Sequence, residues 1–403
     1  MNAQAVRLKE DYFIGMISSN LFDNPFISKG LQIKFLLPRF IAPFLTILLC
    51  CACVGQAQPA QGSSEGEIII DMHCHAAGLG YGGSGCFVSD KLRKSFKIGF
   101  YLRGYGVTKK LLEEHGDGLI IQKTSEQLRA SRYVTSAIVL AMDGVIGPDG
   151  SLDRKNTEIY VPNEFVLQET AKYDNLYFGA SVNPYRPDAI ERLKQAVLEG
   201  ALLIKWIPSI MQIDPADERI IPFYREMSAH NIPLLTHAGN ERSFTMAANE
   251  LSDPKRLELP LRLGVTVIAA HAAATGKNDG EDNMERLIGL MESYPNLYTD
   301  ISSLTQINKL GYLSRLLRHK NILDHLLYGA DYPLIETCIC SPWVHVADLT
   351  IKQIFYIQGI RNPWDRDIEL KKALGVPWNV FTRSKRLFRP EKRPRIAFSW
   401  CHK

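Results

Sequence analysis

From residue 67 onward the chain alternates short apolar runs with longer segments whose apolar residues recur at helical spacing. Eight runs read as strands. They are Glu67–Met72 (EIIIDM), Val134–Ala141, Leu176–Val182, Ala201–Trp206, Ile232–Thr236, Val265–Ala270, Leu297–Ile301 and His325–Gly329. Each is short and nearly all apolar, which is the pattern of parallel strands covered on both faces. Pro187–Leu198, Arg219–Asn231 and Met284–Tyr294 predict amphipathic helices between them, the first opening on Pro and Asp and stopping at Gly200. Eight strands alternating with helices predict an α/β chain folded as a closed (β/α)₈ TIM barrel. An open doubly wound sheet is disfavoured. The glycine-rich stretch Gly78–Gly85 (GLGYGGSG) does not lead straight into a helix, as a phosphate loop after the first strand must. Long insertions follow the first strand (Ala76–Ser131) and the second (Gly144–Asn175). Both are βα-loops and are expected to shape a pocket at the C-terminal face. Ser341–Phe388 is long enough for the last helix and one or two more.

The domain plan that follows is a leader over residues 1–57, a linker over 58–66, the barrel over 67–388 and a basic tail over 389–403. In the leader, the uncharged run Ile41–Gly55 follows Lys29, Lys34 and Arg39 and precedes Gly55-Gln56-Ala57. That order is the order of a secretory signal, and the run is short for a membrane span. The expectation is an exported chain, periplasmic or secreted, with membrane anchoring through a lipid on Cys53 as a further option and Met16 as an alternative start. Cys50, Cys51 and Cys53 lie in this segment; Cys74, Cys86, Cys338, Cys340 and Cys401 remain, and a bridge from Cys86 to Cys338 or Cys340 is conceivable. The net charge of +4 is too mild to imply nucleic acid. Basic residues crowd between Arg383 and Arg395, either as a contact for an anionic surface or as a solvated tail.

The chemistry gathers at strand ends. His73 and His75 stand two apart at the end of the first strand, so they share a face, with Cys74 on the other. His237 ends the fifth strand, His271 the sixth, Asp331 the eighth and Lys205 the fourth. A lone histidine at a strand end is usually a packed one, but five strand ends bearing ligand-type residues converge on one rim and point to a divalent metal, zinc first. Other candidates for the rim are Asp143, Asn183, Arg186, Trp206, Ser209, Asn240 and Glu241, with Arg186 as a clamp for an anion, and His345 reaching in from the last loop.

These residues sit in the motifs His-x-His, GALLIKWIPS, IPLLTHAG, VIAAHAA and YGADYP. In that order, from about Ile68 to Phe388, the chain resembles the amidohydrolase superfamily, and specifically its amidohydrolase-related branch of metal-dependent hydrolases and decarboxylases. The resemblance implies His73, His75, His237 and Asp331 as ligands of one divalent ion, expected to be Zn²⁺, with His271 beside its water. His271, Asp331 and Lys205 are then the catalytic candidates. A carboxylated Lys205 bridging two metals is the alternative, with His271 as a second-metal ligand. The expected activity is hydrolysis of a C–N or C–O bond in an amide, ester or lactone by metal-activated water. Non-oxidative decarboxylation of a small carboxylic acid is the second reading, and a binding protein on a retired barrel the third. The substrate is expected to be a small molecule, anionic if an unmodified Lys205 pairs with it, and a homodimer is compatible with the fold.

Overall fold

In the computed structural model the described residues are 67–392 apart from Arg242. The leader, the linker, Cys401 and the tail beyond Lys392 lie outside them. The strands are β1 (Ile69–His75), β2 (Val134–Leu140), β3 (Leu176–Gly179), β4 (Ile204–Trp206), β5 (Leu234–His237), β6 (Val267–Ala270), β7 (Leu297–Asp300) and β8 (Leu326–Leu327). All eight fall in the runs expected from sequence, several shorter by a few residues. β1 reaches three residues further and the fifth strand one, so they include His73, His75 and His237.

Every pairing among them is parallel, in the order β1-β2-β3 and β4-β5-β6-β7-β8. Parallel bridges join the two sheets at both seams, Ala180 with Ile204 and Cys74 with Tyr332. At the second seam the His75 N–H donates to the Tyr332 carbonyl (3.0 Å) and the Asp331 N–H to the His73 carbonyl (2.9 Å). The fold is the (β/α)₈ barrel.

Two apolar layers follow. Ile70, Met72, Ile138, Leu140, Leu203, Leu235, Ile268 and Leu327 fill the barrel interior. Ile69, Cys74, Val139 and their outward neighbours pack under the helices. The C-terminal segment supplies three helices, α1 (Ile351–Gln358), α2 (Pro363–Ala373) and α3 (Trp378–Phe388). The end of α3 brings Leu387 and Phe388 against the interior layer, and Arg383 donates to the carbonyls of Leu323 and Leu326 below β8. The basic run therefore begins inside a packed helix rather than as a solvated tail. Among the described residues no helix is long and apolar enough to cross a membrane. Cys74, Cys86, Cys338 and Cys340 are all free thiols, so the bridge considered from sequence is not formed.

Simple alternation along β1 cannot account for the site. Ile70 and Met72 face the interior, and strict period two would then turn Cys74 inward and His73 out. A register shift between Asp71 and Cys74 changes the parity. Asp71 stabilises it by accepting the His73 N–H (3.0 Å), the Ala330 N–H (2.9 Å) and the indole N–H of Trp364 (2.9 Å). The irregularity re-aims two side chains toward the mouth, which is the usual consequence of a bulge.

Candidate metal centre

His73 is fully buried and sits at the middle of the cluster. Its Nε2 lies 3.2 Å from His75 Nε2, 3.8 Å from Asp331 Oδ1 and 2.9 Å from Lys205 Nζ. His75 Nε2 is 3.1 Å from the same Asp331 oxygen. The rings of His73 and His271 stack at 5.0 Å, and His237 meets His271 edge-on at 5.4 Å. His73, His75 and Asp331 thus form one potential metal-holding group, and His73, His271 and Asp300 another. The structure brings all six strand-end candidates into one cavity of about 150 Å³.

The hydrogen bonds behind the histidines fix which nitrogen faces inward. Asp300 Oδ2 lies 2.8 Å from His73 Nδ1, and an ionised carboxylate only accepts, so Nδ1 carries the proton. His271 Nδ1 faces Ser302 Oγ (2.7 Å) and the Ser302 carbonyl (3.3 Å). The Ser302 hydroxyl gives its own proton to Asp300, so His271 Nδ1 is again the donor. His237 Nδ1 faces the Glu241 carboxylate at 3.5 Å, while its buried Nε2 has no hydrogen-bond partner among the described residues. His73 and His271 therefore present an Nε2 lone pair with the other nitrogen hydrogen-bonded from behind, the arrangement that orients histidine toward a metal, and His237 adds an unpartnered Nε2 beside them.

Electrostatics agree with that role. Burial draws His73 from the ordinary 6.5 down to about 4, helped by the Lys205 ammonium and opposed by Asp300. Burial also holds His271 well below the usual range and lowers His237. Metal ligation needs neutral imidazole, and these are neutral at pH 7. Burial works against ionisation of Asp331, yet His271, His75 and His73 around it hold its carboxyl well below the ordinary carboxylate range. Burial draws Lys205 down to about 8. The orphaned His237 Nε2 and the neutral imidazoles beside an ionised carboxylate suit a divalent cation, which His73, His75, His237 and Asp331 would hold.

The local backbone is tense here. Asp331, His271 and Ser303 have φ of 61°, 57° and 58°, left-handed values that non-glycine residues adopt at a cost. Gly329 fits for a different reason, because a Cβ on it would stand 2.8 Å from His73 Cβ.

Several expectations are corrected. Arg186 clamps no ligand: its guanidinium makes two bonds to Asp143, of 2.7 and 2.6 Å. Asn183 donates to the carbonyls of Gly144 and Met211. Trp206 turns outward, donating to the Val182 carbonyl and packing on Phe223 and Tyr224. Ser209 is buried and does not line the cavity. His345 is buried with Nε2 3.0 Å from the Thr305 carbonyl, away from the mouth. Asn240 and Glu241 do line the cavity.

The sequence reading missed Asp300, although it ends β7 by the same rule that singled out the others. It also missed Ser302, Ser303, Gln306 and Lys309 in the loop that follows, and Tyr101 and Tyr105 in the first insertion. Nothing in the local sequence marks those as neighbours of the histidines.

A parallel barrel whose strand ends converge histidines and a carboxylate on one buried cluster defines the class: barrel proteins with a candidate metal centre at the C-terminal rim. The particular family is the amidohydrolase family, to which this chain belongs, since that family's model matches residues 70–356. The family is metal-dependent, and the chain carries candidate metal-binding residues. No curated protein matches the chain in sequence. Solved structures similar to it include an uncharacterised TIM-barrel protein from Bordetella bronchiseptica (15% identity, TM-score 0.47, covering 75% of this chain and 99% of that one). A putative 2-pyrone-4,6-dicarboxylic acid hydrolase from Pseudomonas putida matches at 13% identity and TM-score 0.45, covering 80% and 98%. A 2,6-dihydroxybenzoate decarboxylase from Rhizobium matches at 15% and 0.44, covering 81% and 100%.

Proposed function

We propose that the chain is a metal-dependent hydrolase that cleaves a C–N or C–O bond of a small amide, ester or lactone. The observation that carries this reading is the convergence of inward-facing, neutral imidazole nitrogens and one ionised carboxylate on a cavity floor. A divalent ion held there lowers the pKa of water toward 7 and polarises a carbonyl. Asp331 divides its two oxygens: Oδ2 accepts the Ser303 hydroxyl, and Oδ1 faces His75 and His73. Gln306 donates to Ser303 Oγ (2.6 Å) and steadies that contact. His271, kept neutral by burial and fixed through Ser302, has Nε2 free to take or return a proton. Lys205 stands beside His73 as a cation for a developing oxyanion and, if carboxylated, would instead supply oxygens for holding metal. Leu79, Leu92, Ile98 and Leu102 of the first insertion wall the cavity and limit water.

A second reading is decarboxylation of a small carboxylic acid, favoured by the two lysines, Lys205 and Lys309, that line the cavity. Metal analysis by plasma mass spectrometry, followed by a screen of esters, lactones, amides and carboxylic acids, separates the readings. About one ion per chain with water-consuming turnover is the expected result. Carbon dioxide release without water uptake selects the second reading. Absence of metal after reconstitution overturns both.

A further inference from the structure

The loop after β7 carries two adjacent residues that the proposed chemistry leaves unused. Lys309 lines the cavity half-buried, and its ammonium has no ion-pair or hydrogen-bond partner among the described residues. Other interior cations are matched: Lys371 by Asp367 at 2.7 Å, Arg186 by Asp143 and Arg286 by Asp253. Next to it, Asn308 lines the same cavity with a buried Oδ1 that accepts nothing. A donor and an acceptor side by side, both lacking partners in a partly apolar enclosure, are costly to the folded chain unless something else completes them.

Lys309 is also close enough to the catalytic cluster to act on it. Burial lowers its own pKa, opposed by Asp331, Glu241 and Asp300, and it is the foremost charge depressing His271. Facing these polar groups across the cavity are apolar side chains from both insertions, with Val88, Ile98, Leu102 and Ile159 among them, and Phe244 from the loop after β5.

We infer that Lys309 anchors a carboxylate of the substrate, with Asn308 accepting a hydrogen bond from a neighbouring hydroxyl or amide N–H, while the apolar wall holds a hydrophobic or aromatic body. The substrate class is thus an apolar acid whose anchored carboxylate is distinct from the bond that breaks. This deepens the hydrolase reading and rests on it for the identity of the reacting bond, not for the anchor itself. A carboxylate is favoured over a phosphate because that loop offers the cavity one ammonium, while the other lining lysine, Lys205, is taken up by His73 Nε2 at 2.9 Å.

The test is calorimetric and needs no turnover. Cinnamate, cinnamamide and phenyl phosphate are titrated into the metal-loaded full chain, as wild type, Lys309→Met and Lys309→Arg, with metal content measured on each sample. Cinnamate should bind wild type, weaken by about tenfold or more in Lys309→Met and recover in part in Lys309→Arg. Cinnamamide should bind both equally. Equal cinnamate affinity in wild type and Lys309→Met overturns the anchor, as does equal loss of cinnamate and cinnamamide. Phenyl phosphate held tighter than cinnamate, in a Lys309-dependent way, overturns the carboxylate class. A wild type without metal that still discriminates cinnamate through Lys309 sustains the anchor while removing the metal-centre reading, so the two failures are told apart.

Discussion

The two ends of this barrel are built from the same eight strands and obey different rules. At the bottom, Leu387 and Phe388 of α3 close an interior of Ile70, Ile138, Leu235 and Ile268, with Tyr177 and Tyr298 alongside. At the mouth, His73, Lys205, His237, His271, Asp300 and Asp331 are all buried within one cluster, and His271 and Asp331 among them hold left-handed backbone, as does Ser303 beside them. Burial of charge and backbone strain both cost stability, so the apolar end must offset what the polar end loses. The difference teaches that in this chain stability and chemistry are separated along the barrel axis, as they are in barrels generally.

The largest expected contrast comes from cutting each end once. His73→Ala should take metal from about one ion per chain to near zero and abolish turnover, because it removes the central imidazole of the cluster. Phe388→Ala should cost about 3–5 kcal/mol of stability with metal content unchanged. Plasma mass spectrometry and urea unfolding on both variants check the pair. Full metal in His73→Ala, or metal lost from a still-folded Phe388→Ala, breaks the separation.

A smaller effect is expected from behind the ligands. Asp300 accepts from His73 Nδ1, from Ser302 and from the His271 N–H (2.8 Å), so Asp300→Asn disturbs two imidazoles without touching the cavity. Metal affinity should fall about 10- to 100-fold, read by competition with a chelator. Unchanged affinity would show that Asp300 only packs.

The smallest and most diagnostic effect is in pH. His73 is held near 4 in the folded chain against an ordinary 6.5, so between those values the unfolded chain binds the proton and the folded chain does not. The stability of the metal-free protein should therefore fall as pH drops from about 6.5 toward 4, with the full contribution present above 6.5. His271 and His237, also depressed by burial, act in the same direction. Phe388→Ala should keep this slope and His73→Ala flatten it in urea titrations. An equal slope in both variants would place the acid sensitivity elsewhere.

Much of this was legible in the chain itself, for a topological reason. In a parallel barrel all strands end on one rim, so a ligand-type residue at each of several strand ends must converge there whatever the loops do. That alone singled out His73, His75, Lys205, His237, His271 and Asp331, which the structure brings into one cavity. Asp300 was legible by the same rule and went unread.

Tertiary structure decided the rest, because the deciding contacts span the chain. The parity of β1 depends on Asp71 meeting Ala330 and Trp364, which lie more than 250 residues away. The facing nitrogen of His73 depends on Asp300, 227 positions on. Arg186 and His345 carry the same chemistry as true pocket residues, and only their neighbours, Asp143 and the Thr305 carbonyl, take them out of the site. Lys309 is the converse, an ordinary loop lysine in sequence that becomes notable because folding sets it in a cavity with no partner among the described residues. Periodicity reports which way a side chain starts from the backbone; what it meets is settled by residues that sequence spacing does not connect.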